Sequence, residues 1–414
     1  MKEEIINNLG NPRQLEKLYR DNKTTFRKVF NLIYPEIQDK PAAQIWNERL
    51  NFENQEISWG PANDLIFVIA ASLFAGLIAK IPAFTNIQEE FFYPRNTAFI
   101  IFPFLTAYFF RKQKDQTKKL PAILALFFIS AAYINLLPDN SKSDTLLLAC
   151  IHLPLFLWTV LGYTFTGSHF KDYQKRVEFL RYNGDLVVMA TLILIAGAIL
   201  TGITIGLFSL INIEIREFYF NYIVVGGLAA SPIVATYLVQ TNPQLVNRIS
   251  PVIAKIFTPL VLITLVVYLI AVIVTGKDPY NDRNFLFIFN MLLIGVMAII
   301  LFSIAGTSKE YNSKTGTILL LGLSIVTIIV NGIVLSAILF RISEWGITPN
   351  RLAVLGGNMI ILANLCFVSY RLIKSVNDIN EKVNVEKSIA SFLPVYSLWT
   401  MIVTFIFPLI FHFK

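Results

Sequence analysis

Apolar residues in this 414-residue chain fall into runs of about twenty, long enough as helices to cross a hydrocarbon layer roughly 30 Å thick. The runs Leu260 to Val274 and Met291 to Phe302 are apolar on every face, with none of the two-residue alternation a barrel strand needs. Runs between charged punctuation predict spans near 64–83, 94–111, 120–138, 145–166, 185–210, 221–240, 251–275, 284–306, 316–340, 351–372 and 393–412. The polar link from Pro138 to Asp144 reads as a hairpin turn between two spans. The expected fold is all-α, a polytopic helical membrane bundle of about eleven spans, with a cytoplasmic amphipathic segment at 1–62 and a transmembrane domain at 63–414.

The polar start, Met1 to Gln14, has no short apolar region and no small-residue cleavage site, so no removable signal peptide is expected and the first span directs insertion. Asn11 and Pro12 have the chemistry of an N-cap and a first helical position. Leu15, Leu18, Tyr19, Phe26, Val29, Phe30 and Ile33 then recur at helical spacing, with Arg20, Lys23, Arg27 and Lys28 between them. A second short helix over Ala42 to Phe52 offers Ile45, Trp46 and Leu50. These read as amphipathic helices packed on the cytoplasmic ends of the bundle, or as a docking surface for a protein partner.

Composition agrees with a lipid solvent: 55% of residues are hydrophobic, 15% are charged, and the mean hydropathy is +0.59. Charge sets orientation. With the N-terminus inside, only Lys80, Arg95, Lys142, Arg216, Lys277, Arg283, Arg341, Arg351 and Lys414 of the 35 Lys and Arg fall outside, and the C-terminus is also outside. The net charge of +8 therefore implies contact with anionic lipid headgroups at the cytoplasmic face and no nucleic acid. Cys150 and Cys366 lie in apolar runs and read as small core residues.

Ionisable residues are scarce within the runs, which disfavours a proton-coupled carrier with a midplane carboxylate. His152 reads as a helix-to-helix hydrogen-bonding residue, and the three histidines are too scattered to share a metal. No cofactor is expected. Neutral polar residues do occur in the spans, namely Asn290, Asn331, Asn358, Asn364, Thr327 and Ser336, suited to holding helices together or to binding a polar solute. Gly202 and Gly206, and Gly226, Gly227, Ala229, Ala230 and Ser231 before Pro232, predict close helix approach, and the second stretch is also a candidate helix break.

On the outer side Glu89, Glu90, Arg95, Glu214, Arg216, Glu217, Asp278, Asp282, Arg283, Arg341, Glu344 and Arg351 form a candidate charged crown, beside an interfacial helix over Ile211 to Phe220. A tight turn joins the ninth and tenth spans, with Gly346 at a helix C′ position and Thr348-Pro349 as cap and first turn. Arg341 and Arg351 there need partners; Glu344 is three residues from Arg341. The turn is a structural clasp or an anion site.

The segments Leu15 to Arg20, Trp46 to Leu50, Phe92 to Asn96 and the turn from Arg341 through Thr348 to Arg351 resemble a bacterial membrane family, domain of unknown function 4153, with Trp345 where that family more often carries tyrosine. The resemblance implies a multi-pass protein of the bacterial cytoplasmic membrane and brings no activity. The residues themselves point to a permease-like transporter of a small neutral or zwitterionic solute, with Asn290, Asn331, Asn358, Arg341, Glu344 and Arg351 as candidate ligand-binding residues. The alternatives are a scaffold or sensor acting through the N-terminal helices, and an outer-face enzyme acting on lipid or lipid-linked sugar.

Overall fold

A computed structural model describes the chain except residues 1, 53–59, 114–117, 141, 211–212, 244–248, 276–279, 281–289, 291–292, 301–313, 377, 379–380 and 414. The side chains of 23–24, 27–28, 51–52, 207, 210, 249–257, 268, 271–272, 275 and 382 are also outside the description. Among the described residues there are helices and turns and no strand. Asp278, Asp282, Arg283 and most of the expected span at 284–306 lie outside them, as do Ile211 and the side chain of Lys255.

The chain divides into two compact units, Met1–Gly60 and Pro61–Lys414. In the first, helices α1 (Lys2–Asn7), α2 (Pro12–Asp21), α3 (Lys23–Ile37) and α4 (Pro41–Phe52) enclose a core of their own, with Ile5, Leu15, Phe26 and Phe30 fully buried. Asn11 accepts from Gln14 N and Pro12 opens α2, as the sequence predicts. The single helix expected over Leu15 to Ile33 is instead two. Asn22 ends α2 and caps α3 by accepting from Thr25 N, because its short side chain competes with the helical backbone.

The segments Leu15 to Arg20 and Trp46 to Leu50 meet in this core. Arg49 lies over both the Trp46 and Tyr19 rings, 4.6 and 5.3 Å from their centroids, and pairs with Glu16 at 2.8 Å. The hydrogen-bonding Arg20 guanidinium beside Glu16, with Arg49 adding to it, holds that carboxyl below its usual range.

In the second unit the helices are α5 (Ala62–Ala79), α6 (Ile81–Phe84), α7 (Glu89–Lys112), α8 (Leu120–Leu136), α9 (Asp144–Thr166) and α10 (Tyr173–Leu210). A three-residue α11 (Arg216–Phe218) runs through a π-helical turn (Tyr219–Val224) into α12 (Val225–Thr241). Then come α13 (Ile249–Thr275), α14 (293–300), α15 (Lys314–Trp345), α16 (Pro349–Ser375) and α17 (Lys382–Met401), which a second π-helical turn (Ile402–Ile406) joins to α18 (Phe407–Ile410). Among the described residues, seven stretches are long and apolar enough to cross a membrane: Ala62–Ala79, Asp144–His169, Tyr173–Gly206, Arg216–Thr241, Lys314–Trp345, Pro349–Ser375 and Val383–Ile410. This is the architecture of a helical membrane protein.

Several expectations change here. The Gly226 to Pro232 stretch does not break its helix, because α12 continues through Pro232 and the irregularity falls earlier, in the π turn. Arg216 to Phe220 forms the first turns of that same helix rather than a separate interfacial one. Gly202 and Gly206 meet no neighbour, since the distal half of α10 exposes its apolar side chains. Close approach does occur in the second stretch, where α5 crosses α12 and a Cβ on Gly76 would stand 3.6 Å from Gly226 Cα. Cys366 is exposed on α16 rather than a core residue. His152 bonds Leu148 O of its own helix rather than a second helix.

Candidate functional site

The clearest polar assembly joins the ends of α5, α7 and α8 through the segment Phe92 to Asn96. Arg95 is 2% exposed, and its guanidinium donates to Ile134 O at 2.7 Å, Leu137 O at 3.2 Å and Asp139 Oδ1 at 3.1 Å. A cation placed on the last carbonyls of α8 satisfies both those acceptors and the negative end of the helix dipole. Asn96 and Asn135 exchange amide hydrogen bonds at 2.9 Å in both directions, and Tyr93 donates to Ala79 O at 3.1 Å. These donors and acceptors answer one another. The assembly is a clasp, and Arg95 is no part of an open charged crown.

The turn between α15 and α16 is a second clasp. Gly346 takes a φ of 76°, and Thr348 Oγ1 accepts from Arg351 N to cap α16, both as the sequence predicts. Arg351 Nη1 donates to Trp345 O at 2.9 Å and Gly346 O at 2.6 Å, and Arg341 Nε donates to Tyr280 O at 2.7 Å. Trp345 lies between the two cations, its ring centroid 5.8 Å from Arg341 and 5.6 Å from Arg351. The pairing of Arg341 with Glu344 does not form: main-chain carbonyls take the guanidinium groups, and Glu344 is exposed. Glu89 and Glu90 are also exposed, and none of these three carboxylates is in an ion pair among the described residues. No group of three or more His, Cys, Asp and Glu there could hold a metal.

The three candidate asparagines do come together. Asn331, wholly buried on α15, donates through Nδ2 to Asn358 O of α16 at 3.0 Å, and Asn358 donates through Nδ2 to Asn290 Oδ1 at 2.7 Å. Asn358 lies about 14 Å along α16 from Pro349, and Asn331 about 21 Å along α15 from Trp345, at 1.5 Å per residue. Both residues therefore stand well inside their helices, away from either end. Asn331 Oδ1 is buried without a hydrogen-bond partner. A buried amide oxygen so left marks either stored cost or a place for a water or ligand.

Below the amides, toward the other end of the same pair of helices, Ser369 donates to Ser324 Oγ at 2.9 Å with both residues buried, and Thr327 bonds back to Leu323 O. The opposite face of α16 meets α17. There Asn364 donates to Tyr396 Oη at 3.1 Å, and the Trp399 indole packs against Gly356 and Gly357 so closely that a Cβ on Gly356 would overlap its ring. The sequence reading named Asn364 and missed Tyr396 and Trp399. The glycine pair Gly356-Gly357 was the available signal, since a doublet in the middle of a long apolar helix leaves room for a large ring.

No protein-family model, curated protein or solved structure matches the chain.

Proposed function

We propose that the protein is a permease-like transporter of a small neutral or zwitterionic solute, with its midplane polar element formed by Asn331, Asn358 and Asn290. The observation that carries this reading is the unpartnered Asn331 Oδ1, an uncharged acceptor at zero exposure in the middle of a long helix. In hydrocarbon such a group favours any molecule that brings it a donor. Among the described residues the site offers amides and neither carboxylate nor cation, which selects against net charge because none of them offsets the desolvation of an ion.

The proposed setting is the bacterial cytoplasmic membrane, with about eleven spans, the Met1–Gly60 unit inside and the C-terminus outside, following the Lys and Arg bias. Tags at Met1 and Lys414 test the parity and are expected in different compartments. Function is tested with the purified full chain in liposomes, against a panel of neutral amino acids, polyols and betaines. At least one is expected to enter faster than into protein-free liposomes, and Asn331→Leu is expected to cut that rate tenfold or more in folded protein. Uptake of every panel member at the protein-free rate would overturn the reading.

A second reading, a scaffold engaging a protein partner through Met1–Gly60, is supported by Leu32 and Ile45. They stand 77% and 68% exposed on a unit whose core is already complete.

A further inference from the structure

We propose that the interface of α16 with α17 is a hydrated passage for the solute, lined by Asn364, Tyr396 and Ser375 and closed at one end by Trp399. This rests on the permease reading and adds a route and a ligand chemistry to it.

Three buried polar atoms point to it. Asn364 is wholly buried and faces α17 through its bond to Tyr396, yet its Oδ1 has no partner. Ser375 is 5% exposed and its Oγ also has none. Ser375 follows Asn364 by eleven residues, three helical turns, which returns it to the same face of α16. Trp399 Nε1 is the third unpartnered atom, and Gly357, whose Cβ would lie 3.7 Å from it, precedes Asn364 by two turns on that face. From Gly357 to Ser375 the line covers about 27 Å, close to the full hydrocarbon thickness. The α15 side differs. There the Ser324 and Ser369 hydroxyls bond each other, and Asn331 Oδ1 belongs to that side and not to this seam.

Unsatisfied donors and acceptors on one helix face, at intervals a chain of waters bridges, mark a wet interface. It offers acceptors at Asn364 and Ser375 and donors at Trp399, Tyr396 and Ser375, and the charge at its Ser375 end is the closed Arg371–Glu381 pair. The matching solute is small and uncharged, with hydroxyl or amide groups that both donate and accept. Trp399 seats its ring on Gly356 and edge-on to Phe407, which fixes it across that end of the seam.

The test uses the full chain in liposomes, with Cys150 and Cys366 replaced by alanine and single cysteines at Asn364, Ser375, Phe367 and Leu365. Phe367 is 57% exposed on the apolar surface, and Leu365, two turns from Asn358 on the α15 side, is fully buried. A membrane-impermeant methanethiosulfonate reagent is expected to modify Asn364→Cys and Ser375→Cys at least tenfold faster than the two references when applied from the Ser375 end. Trp399→Ala is expected to open Asn364→Cys to the opposite side. Rates at Asn364→Cys and Ser375→Cys equal to that at Leu365→Cys, in monodisperse protein, would overturn the passage. Should the cysteine variants not fold, hydroxyl-radical footprinting of the unsubstituted protein decides: Tyr396 and Trp399 oxidise faster than the buried Tyr182 if the seam is wet and no faster if it is dry. A dry seam with intact uptake removes the passage alone. A wet seam without uptake removes the permease reading and leaves the water.

Discussion

Arg95 and Asn331 are both buried in the helical unit, one charged and one neutral, and their surroundings treat them in opposite ways. Around Arg95 the guanidinium finds two carbonyls and a carboxylate, and the neighbouring amides pair with each other. Around Asn331 one amide nitrogen is used and the oxygen is left alone. Burying a cation carries a large desolvation cost, so it persists only where its donors are well matched, whereas one neutral oxygen can stay unmatched at a cost the fold absorbs. The contrast separates residues that hold the bundle from residues that wait for something to bind.

Substitutions sharpen or break that contrast. The largest effect is expected at Arg95→Ala, which strips two buried carbonyls of their donor and lowers stability by about 3 kcal/mol or more, read as thermal unfolding in detergent. Gly356→Ala comes next. Its methyl group meets the Trp399 ring, at roughly 1–3 kcal/mol for an overpacked contact, and the same scan measures it. Asn358→Leu, which removes the bond to Asn290 but keeps the carbonyl that Asn331 uses, is expected to cost about 1 kcal/mol or less, as interhelical hydrogen bonds in membranes do. If Asn358→Leu destabilised as much as Arg95→Ala, the amides would be structural and the comparison would collapse.

The smallest effect belongs to Glu16. Its carboxyl is held below the usual range by Arg20 and Arg49, so its contribution is present above the unfolded value and fades as pH falls through the lowered folded one. The protection of peptides covering residues 12–50, taken relative to the intrinsic exchange rate at each pH, is expected to fall between pH 5 and pH 3, and Glu16→Gln is expected to flatten that dependence.

Much of this was legible from spacing. Apolar runs located the helices, and the chemistry of Asn11, Pro12, Gly346, Thr348 and Pro349 located caps that the structure contains, because a cap is decided within four residues. What stayed hidden was pairing at a distance. Asn358 meets partners 27 and 68 residues away, and Arg95 meets carbonyls about 40 residues away. The charge count placed Arg95 outside among exposed groups, yet helix ends buried it. Of the small-residue stretches expected to allow contact, Gly226 does and Gly202 and Gly206 do not, while Gly76 and Gly356 were not foreseen, since a small residue permits approach without choosing the partner.

The two π-helical turns have a bearing on what the chain tolerates. One ends two residues before Gly226 and the other begins three residues after Trp399. Each wide turn accommodates one residue more than an ordinary α turn, so excising a single amino acid from either would close the coil to α and leave the faces beyond it in register. Gly226 would keep its side toward Gly76 and the tail beyond Ile406 its side toward α9, whereas the same excision from an ordinary turn would rotate everything beyond it by about 100°.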